Sequence, residues 1–70
     1  MKQSAHRTMY RMHLARDAES GLWVARSTND LVVSQGTSRA EAAANLHEAI
    51  EFYCEMRPEK TAEFDRVSRE

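Results

Sequence analysis

The 70-residue chain has one cysteine, one proline and two glycines. None of its apolar runs approaches the roughly 18 residues that a membrane span needs. Each shortage excludes something. Cys54 cannot close an internal disulfide, and no second cysteine completes a zinc pair of the CxxC type. A lone thiol fits a reducing compartment. The first residues, MKQSAHRT, carry a lysine but not the apolar segment of a signal peptide, so the cytoplasm is the expected location. Ten basic against eleven acidic residues give a net charge of −1, without the basic excess of a nucleic-acid binder. Residues 1–16 carry Lys2, Arg7, Arg11 and Arg16 and no acid, which reads as a solvated strand face and tail.

A chain this short makes one domain at most, burying only about 60% of the surface its unfolded form exposes. Without a disulfide or a metal to staple it, self-association or a protein partner is the expected support. The expected division is a flexible N-terminus over 1–7, a folded unit over 8–57, and a connector over 58–70.

From Thr8 to Ala15 the pattern alternates, with Tyr10, Met12 and Leu14 on one face and Met9, Arg11 and His13 on the other. Period two predicts a half-buried strand. The polar run from Arg16 to Gly21 predicts a hairpin loop. Leu22 to Arg26 predicts a second strand that is apolar on either face, Leu22/Val24 or Trp23/Ala25. The expected facing puts Leu22 and Val24 towards the core and Trp23 and Ala25 away, beside Arg11 and His13, the alternative being Trp23 in the helix core. Ser27-Thr28-Asn29-Asp30 is a turn cluster, and Leu31 to Ser34 a short third strand. Gly36 is expected to reverse the chain through a positive φ.

Ser38 then caps a long helix. Its hydroxyl is placed to accept from the Glu41 N–H, and Glu41 to reach back to the Ser38 N–H, as in a capping box. Ala42, Ala43, Leu46, Ala49, Ile50 and Tyr53 recur at helical spacing and form one apolar stripe. Pro58 stops the helix at or before Arg57. Phe64 to Val67 is a short edge strand or a frayed tail. The fold class is α+β: a three- or four-stranded antiparallel sheet with one long helix on one face.

Gly21-Leu22-Trp23-Val24, Ser34-Gln35-Gly36, Ser38, Glu41-Ala42, Asn45-Leu46, Glu48-Ala49-Ile50 and Phe52-Tyr53 together resemble the HicB family of antitoxins. In that family a strand closes on a Ser/Thr-Gln-Gly-like turn, followed by a helix of the form Thr-x-x-Glu-Ala-x-x-Asn-x-x-Glu-Ala. Ser38 stands here for the threonine, and Glu41, Ala42, Asn45, Glu48 and Ala49 match in position. The segment from Ser27 to Val32 lacks the proline and glycine that the family often carries there. Seventeen residues follow Tyr53, too few for the DNA-binding module that many members add. The resemblance implies an isolated N-terminal domain with a cut-down ribonuclease H fold. It also implies neutralisation, by direct binding, of a small HicA-like toxin that cleaves messenger RNA.

Ribonuclease H chemistry needs carboxylates converging on two metal ions. The expected strands contain no acid, and Asp17, Glu19 and Asp30 fall in turns. No enzyme activity, metal or cofactor is therefore expected. His47 and Glu51, four apart on the helix, read as solvated, and His13 as a plain surface residue. Cys54 reads as a small apolar filler. Gly36, Ser38, Glu41 and Asn45 read as structural, with the Asn45 side chain bonded to the adjoining turn or strand. The expected partner-binding set is Trp23 with Arg11, which can stack on it, and the acids Asp17, Glu19 and Asp30, which complement a basic toxin. An open sheet face predicts a homodimer or higher oligomer.

Overall fold

A computed structural model describes residues 9–67; the N-terminal stretch 1–7, Thr8 and residues 68–70 lie outside it. Strands β1 (Met9–Tyr10), β2 (Met12–Arg16), β3 (Trp23–Ser27) and β4 (Val33–Gly36) lead to helix α1 (Arg39–Met56). A 3-10 helix (Pro58–Glu63) and strand β5 (Arg66–Val67) follow. β2, β3 and β4 form an antiparallel sheet in that order, while β1 and β5 pair as a separate two-stranded sheet. The last strand therefore forms, but on β1 and not on the main sheet. Among the described residues no helix is long and apolar enough to cross a membrane.

Register decides which side chains meet the helix. Leu14 stands opposite Ala25, and Ala25 opposite Ser34; Arg16 stands opposite Trp23, and Trp23 opposite Gly36. Ala25 is fully buried in the core, and Met12, Leu14 and Trp23 pack against it. The expected facing of the second strand is thus reversed: Trp23 and Ala25 point to the helix, and Val24 points away. The reason is steric and shows in the neighbours. A small residue at the centre of β3 lets α1 lie close, and Leu46 and Ile50 fill the space above it with no surface left exposed. Full burial of two such side chains contributes about 1.5–3 kcal/mol each.

The open side of the sheet carries two rows, His13–Arg26–Val33 and Ala15–Val24–Gln35. Val33 is exposed there at 57%, and Leu31, in the bend before β4, at 46%.

The core does not stop at the helix. Phe64 is buried and meets Tyr10 and Tyr53 edge-on, with centroids 6.2 and 5.6 Å away. Asn29 fastens this segment by donating from Nδ2 to the Glu63 carbonyl at 2.9 Å. The Thr28 hydroxyl donates to the Asp65 carboxylate at 3.2 Å, and the Arg11 N–H to the Asp65 carbonyl at 3.0 Å. The connector after Pro58 is therefore packed into the domain.

Candidate functional site

The joint between β4 and α1 is held by four side-chain hydrogen bonds. Ser38 is the N-cap, and its hydroxyl accepts from the Glu41 N–H at 3.1 Å. Glu41 does not reach back to the Ser38 N–H. Its carboxylate takes the backbone N–H and the hydroxyl of Thr37 instead, one residue earlier. These bonds, the backbone one foremost, hold the Glu41 carboxyl below its usual range.

Gly36 also differs from expectation. Only Gly21 among the glycines has a positive φ, at 78°, together with Asp30 at 63°. At Gly36 the requirement is space. A Cβ there would lie 2.7 Å from the Ala42 backbone nitrogen and 2.9 Å from Glu41 atoms. Glycine lets the first turn of α1 pass directly over the end of β4. Asn45 then closes the joint, donating from Nδ2 to the Gln35 carbonyl at 2.9 Å.

The expected partner-binding residues do not gather in one place. Asp17 and Glu19 sit in the β2–β3 turn, while Asp30 sits in the β3–β4 turn and Arg11 just before β2. The two ends of the sheet are separated by the five residues of β3, about 15 Å at ~3.3 Å per residue. Asp17 is held locally, accepting from the Ser20 hydroxyl at 2.7 Å and the Ser20 N–H at 3.2 Å, which lowers its pKa. Asp30 pairs with Arg26 at 3.4 Å. Trp23 stacks with Arg39, whose guanidinium carbon lies 5.4 Å from the ring centroid, and not with Arg11.

His47 is not in solvent, contrary to the expectation from sequence. It is buried, its ring tilted against Tyr10, and its Nδ1 accepts from the Tyr10 N–H at 3.1 Å. A polar residue at 200° from Asn45 on the helical wheel, flanked by Ala43 and Ile50, is the signal that could have placed it inside. His13 is exposed, and Cys54 is half-buried against the core. Among the described residues no group of three or more His, Cys, Asp or Glu is placed to hold a metal ion.

A shallow groove of about 520 Å³ runs along the free edge of β4, lined by Ser34, Asn45, Glu48, Ala49 and Phe52. Phe52 is exposed at 64%, and Met56, four residues further along α1, at 67%. The apolar stripe drawn from the sequence includes Tyr53 but neither Phe52 nor Met56, and the sequence assigned this pair no role. No family model, no curated protein and no solved structure matches the chain.

Proposed function

We propose that this chain is a non-enzymatic, cytoplasmic protein-binding module of the HicB antitoxin type, built on a cut-down ribonuclease H fold. Its partner is a small basic HicA-like toxin that cleaves messenger RNA, and it acts by covering that toxin's RNA-binding surface. The supporting observation is the β4–α1 joint. There Ser38, Glu41 and Asn45 each make a hydrogen bond, Gly36 leaves room for the helix, and Ala42 is fully buried. These residues of the resemblance thus lie together at one joint, which is what supports this reading. The near-neutral charge of −1 suits binding a cationic protein better than binding nucleic acid.

The test is co-expression of the tagged chain with the small basic product of an adjacent gene. The two proteins should co-purify, and growth arrested by the basic protein should resume. A toxin that neither co-purifies nor loses its toxicity would sink this reading.

One observation favours a second reading, a solitary oligomeric domain with a ligand-binding or structural role. The open sheet face carries exposed Val33, with exposed Leu31 in the bend before it, and a second copy can cover them. Self-association through that face is compatible with either reading. A light-scattering mass of 8.0 kDa at micromolar concentration would contradict it.

A further inference from the structure

We propose that the outward face of α1 beside β4 is a docking surface for a basic protein surface that presents an apolar anchor. It is formed by Ser34, Glu48, Ala49, Phe52, Glu55 and Met56. The inference rests on reading the chain as a protein-binding module and names the surface that does the binding.

At 100° per residue, Ala49, Phe52 and Met56 fall within about 60° of one another on the wheel, and Glu48 and Glu55 border them on the solvent side. The apolar centre is open: Phe52 and Met56 are the most exposed large hydrophobic side chains among the described residues. An exposed aromatic and a methionine over a groove, rimmed by charge, have the composition of an interface centre.

The helix also breaks its own rules at this place. Between Ala40 and Met56 it carries Glu41, Glu48, Glu51 and Glu55 and no lysine or arginine, and its last turn holds no base. Acids near a helix C-terminus oppose the macrodipole, and like charges three or four apart repel. None of the ion pairs among the described residues, Arg26–Asp30, Arg57–Glu59 and Lys60–Glu63, involves Glu48 or Glu55. Local stability is thus sacrificed where a cationic partner would restore it, which is where a functional surface is to be sought.

The same charges select the occupant. A second copy placed about a two-fold axis through Phe52 would set glutamates against glutamates with no base between them. Nucleic acid would be repelled by the glutamates. An added β-strand is disfavoured because Asn45 already occupies the Gln35 carbonyl on the edge of β4. What fits is a folded or helical surface carrying Lys or Arg around one apolar side chain.

The probe is an 18-residue amphipathic helical peptide of leucine and lysine, titrated into the isotope-labelled full chain and followed by amide NMR. Saturable shifts are expected at Glu48, Phe52, Glu55 and Met56. The Glu48→Lys/Glu55→Lys variant should bind about tenfold more weakly, since two rim attractions become repulsions. It should gain binding to a leucine–glutamate peptide of the same design. Phe52→Asp should lose binding while keeping its helical circular dichroism. Shifts centred on Val24 and Val33, or affinity unmoved by charge reversal, would overturn the proposal. The co-expressed toxin separates the two levels. Co-purification undiminished by Phe52→Asp and by Glu48→Lys/Glu55→Lys would sink this surface and keep the antitoxin reading. Peptide binding mapped to α1 without rescue by the chain would sink the antitoxin reading and keep the surface.

Discussion

The Asn45 side chain donates to the Gln35 carbonyl at 2.9 Å, joining the middle of α1 to the free edge of β4. One amide thereby fixes the helix on the sheet and covers a strand edge that would otherwise be open to pairing. Replacing Asn45 by alanine should lower stability by about 0.5–1.5 kcal/mol, the net value of one such bond. It should also raise the tendency to aggregate. Urea midpoints and turbidity on mild heating check both. An unchanged midpoint would mean that water serves the carbonyl equally well.

The two glycines are needed for different reasons, and substitutions separate them. Gly36→Ala forces a Cβ to 2.7 Å from the Ala42 nitrogen, a backbone atom that cannot step aside, so α1 must shift. A loss of about 1–3 kcal/mol is expected, as for other overpacked sites. Gly21 has room, its nearest neighbour being Arg16 Nη2 at 3.9 Å, but its φ of 78° disfavours a side chain. Gly21→Asn should therefore be milder than Gly21→Ala, because asparagine tolerates the left-handed region. Gly36→Asn should be at least as harmful as Gly36→Ala. Thermal unfolding of the four variants gives the order directly.

Local chemistry was the legible part of this sequence. The Ser38 cap, the end of the helix before Pro58, the alternation of Tyr10, Met12 and Leu14 and the bond made by Asn45 all follow from spacing and residue type. What could not be read from one dimension depended on which layers meet. β3 is apolar on both faces, so periodicity could not decide between Trp23 with Ala25 and Leu22 with Val24. The close crossing of helix over strand decided it, by placing the small side chain of Ala25 at the point of contact. The same crossing gave Gly36 a steric role in place of a torsional one. The exposed side of α1 stayed hidden because nothing in the spacing of Phe52 and Met56 tells that the groove beside β4, which Phe52 lines, is left open.

His47 was expected in solvent, yet its Nδ1 accepts the Tyr10 N–H inside the core. An apolar replacement of similar size leaves that N–H buried without its acceptor. His47→Leu should therefore destabilise by about 1–3 kcal/mol, although it adds apolar surface to a buried site. The urea midpoint measures it. A midpoint at or above that of the parent chain would show that Tyr10 finds another acceptor.

Glu41 gives the fold an acid sensitivity of defined sign. Its carboxylate accepts two hydrogen bonds from Thr37, which hold its pKa below the ordinary 4.5. The folded chain binds this proton more weakly than the unfolded chain does. The contact's contribution is thus fully present above the unfolded value and disappears as pH falls through the lower folded one. Asp17 acts in the same sense through Ser20. Glu41→Gln should flatten part of the acid limb of the stability curve and leave the slope at neutral pH unchanged. Urea midpoints across the acid range test this, and parallel curves for both proteins would contradict it.

Trp23 is the chain's one tryptophan, so its emission reports a single site. The ring is half-buried against the core and covered by the Arg39 guanidinium at 5.4 Å. Arg39→Ala removes that cover and should cost about 0.5–1 kcal/mol, the value of an exposed cation–π contact. Emission should move to longer wavelength and acrylamide quenching should increase. Arg39→Lys keeps a cation near the ring and should change both less. Arg11→Ala should change neither, because Arg11 lies at the far end of the sheet. An effect of Arg11→Ala equal to that of Arg39→Ala would put Trp23 back on the open face and reverse the inward orientation of β3.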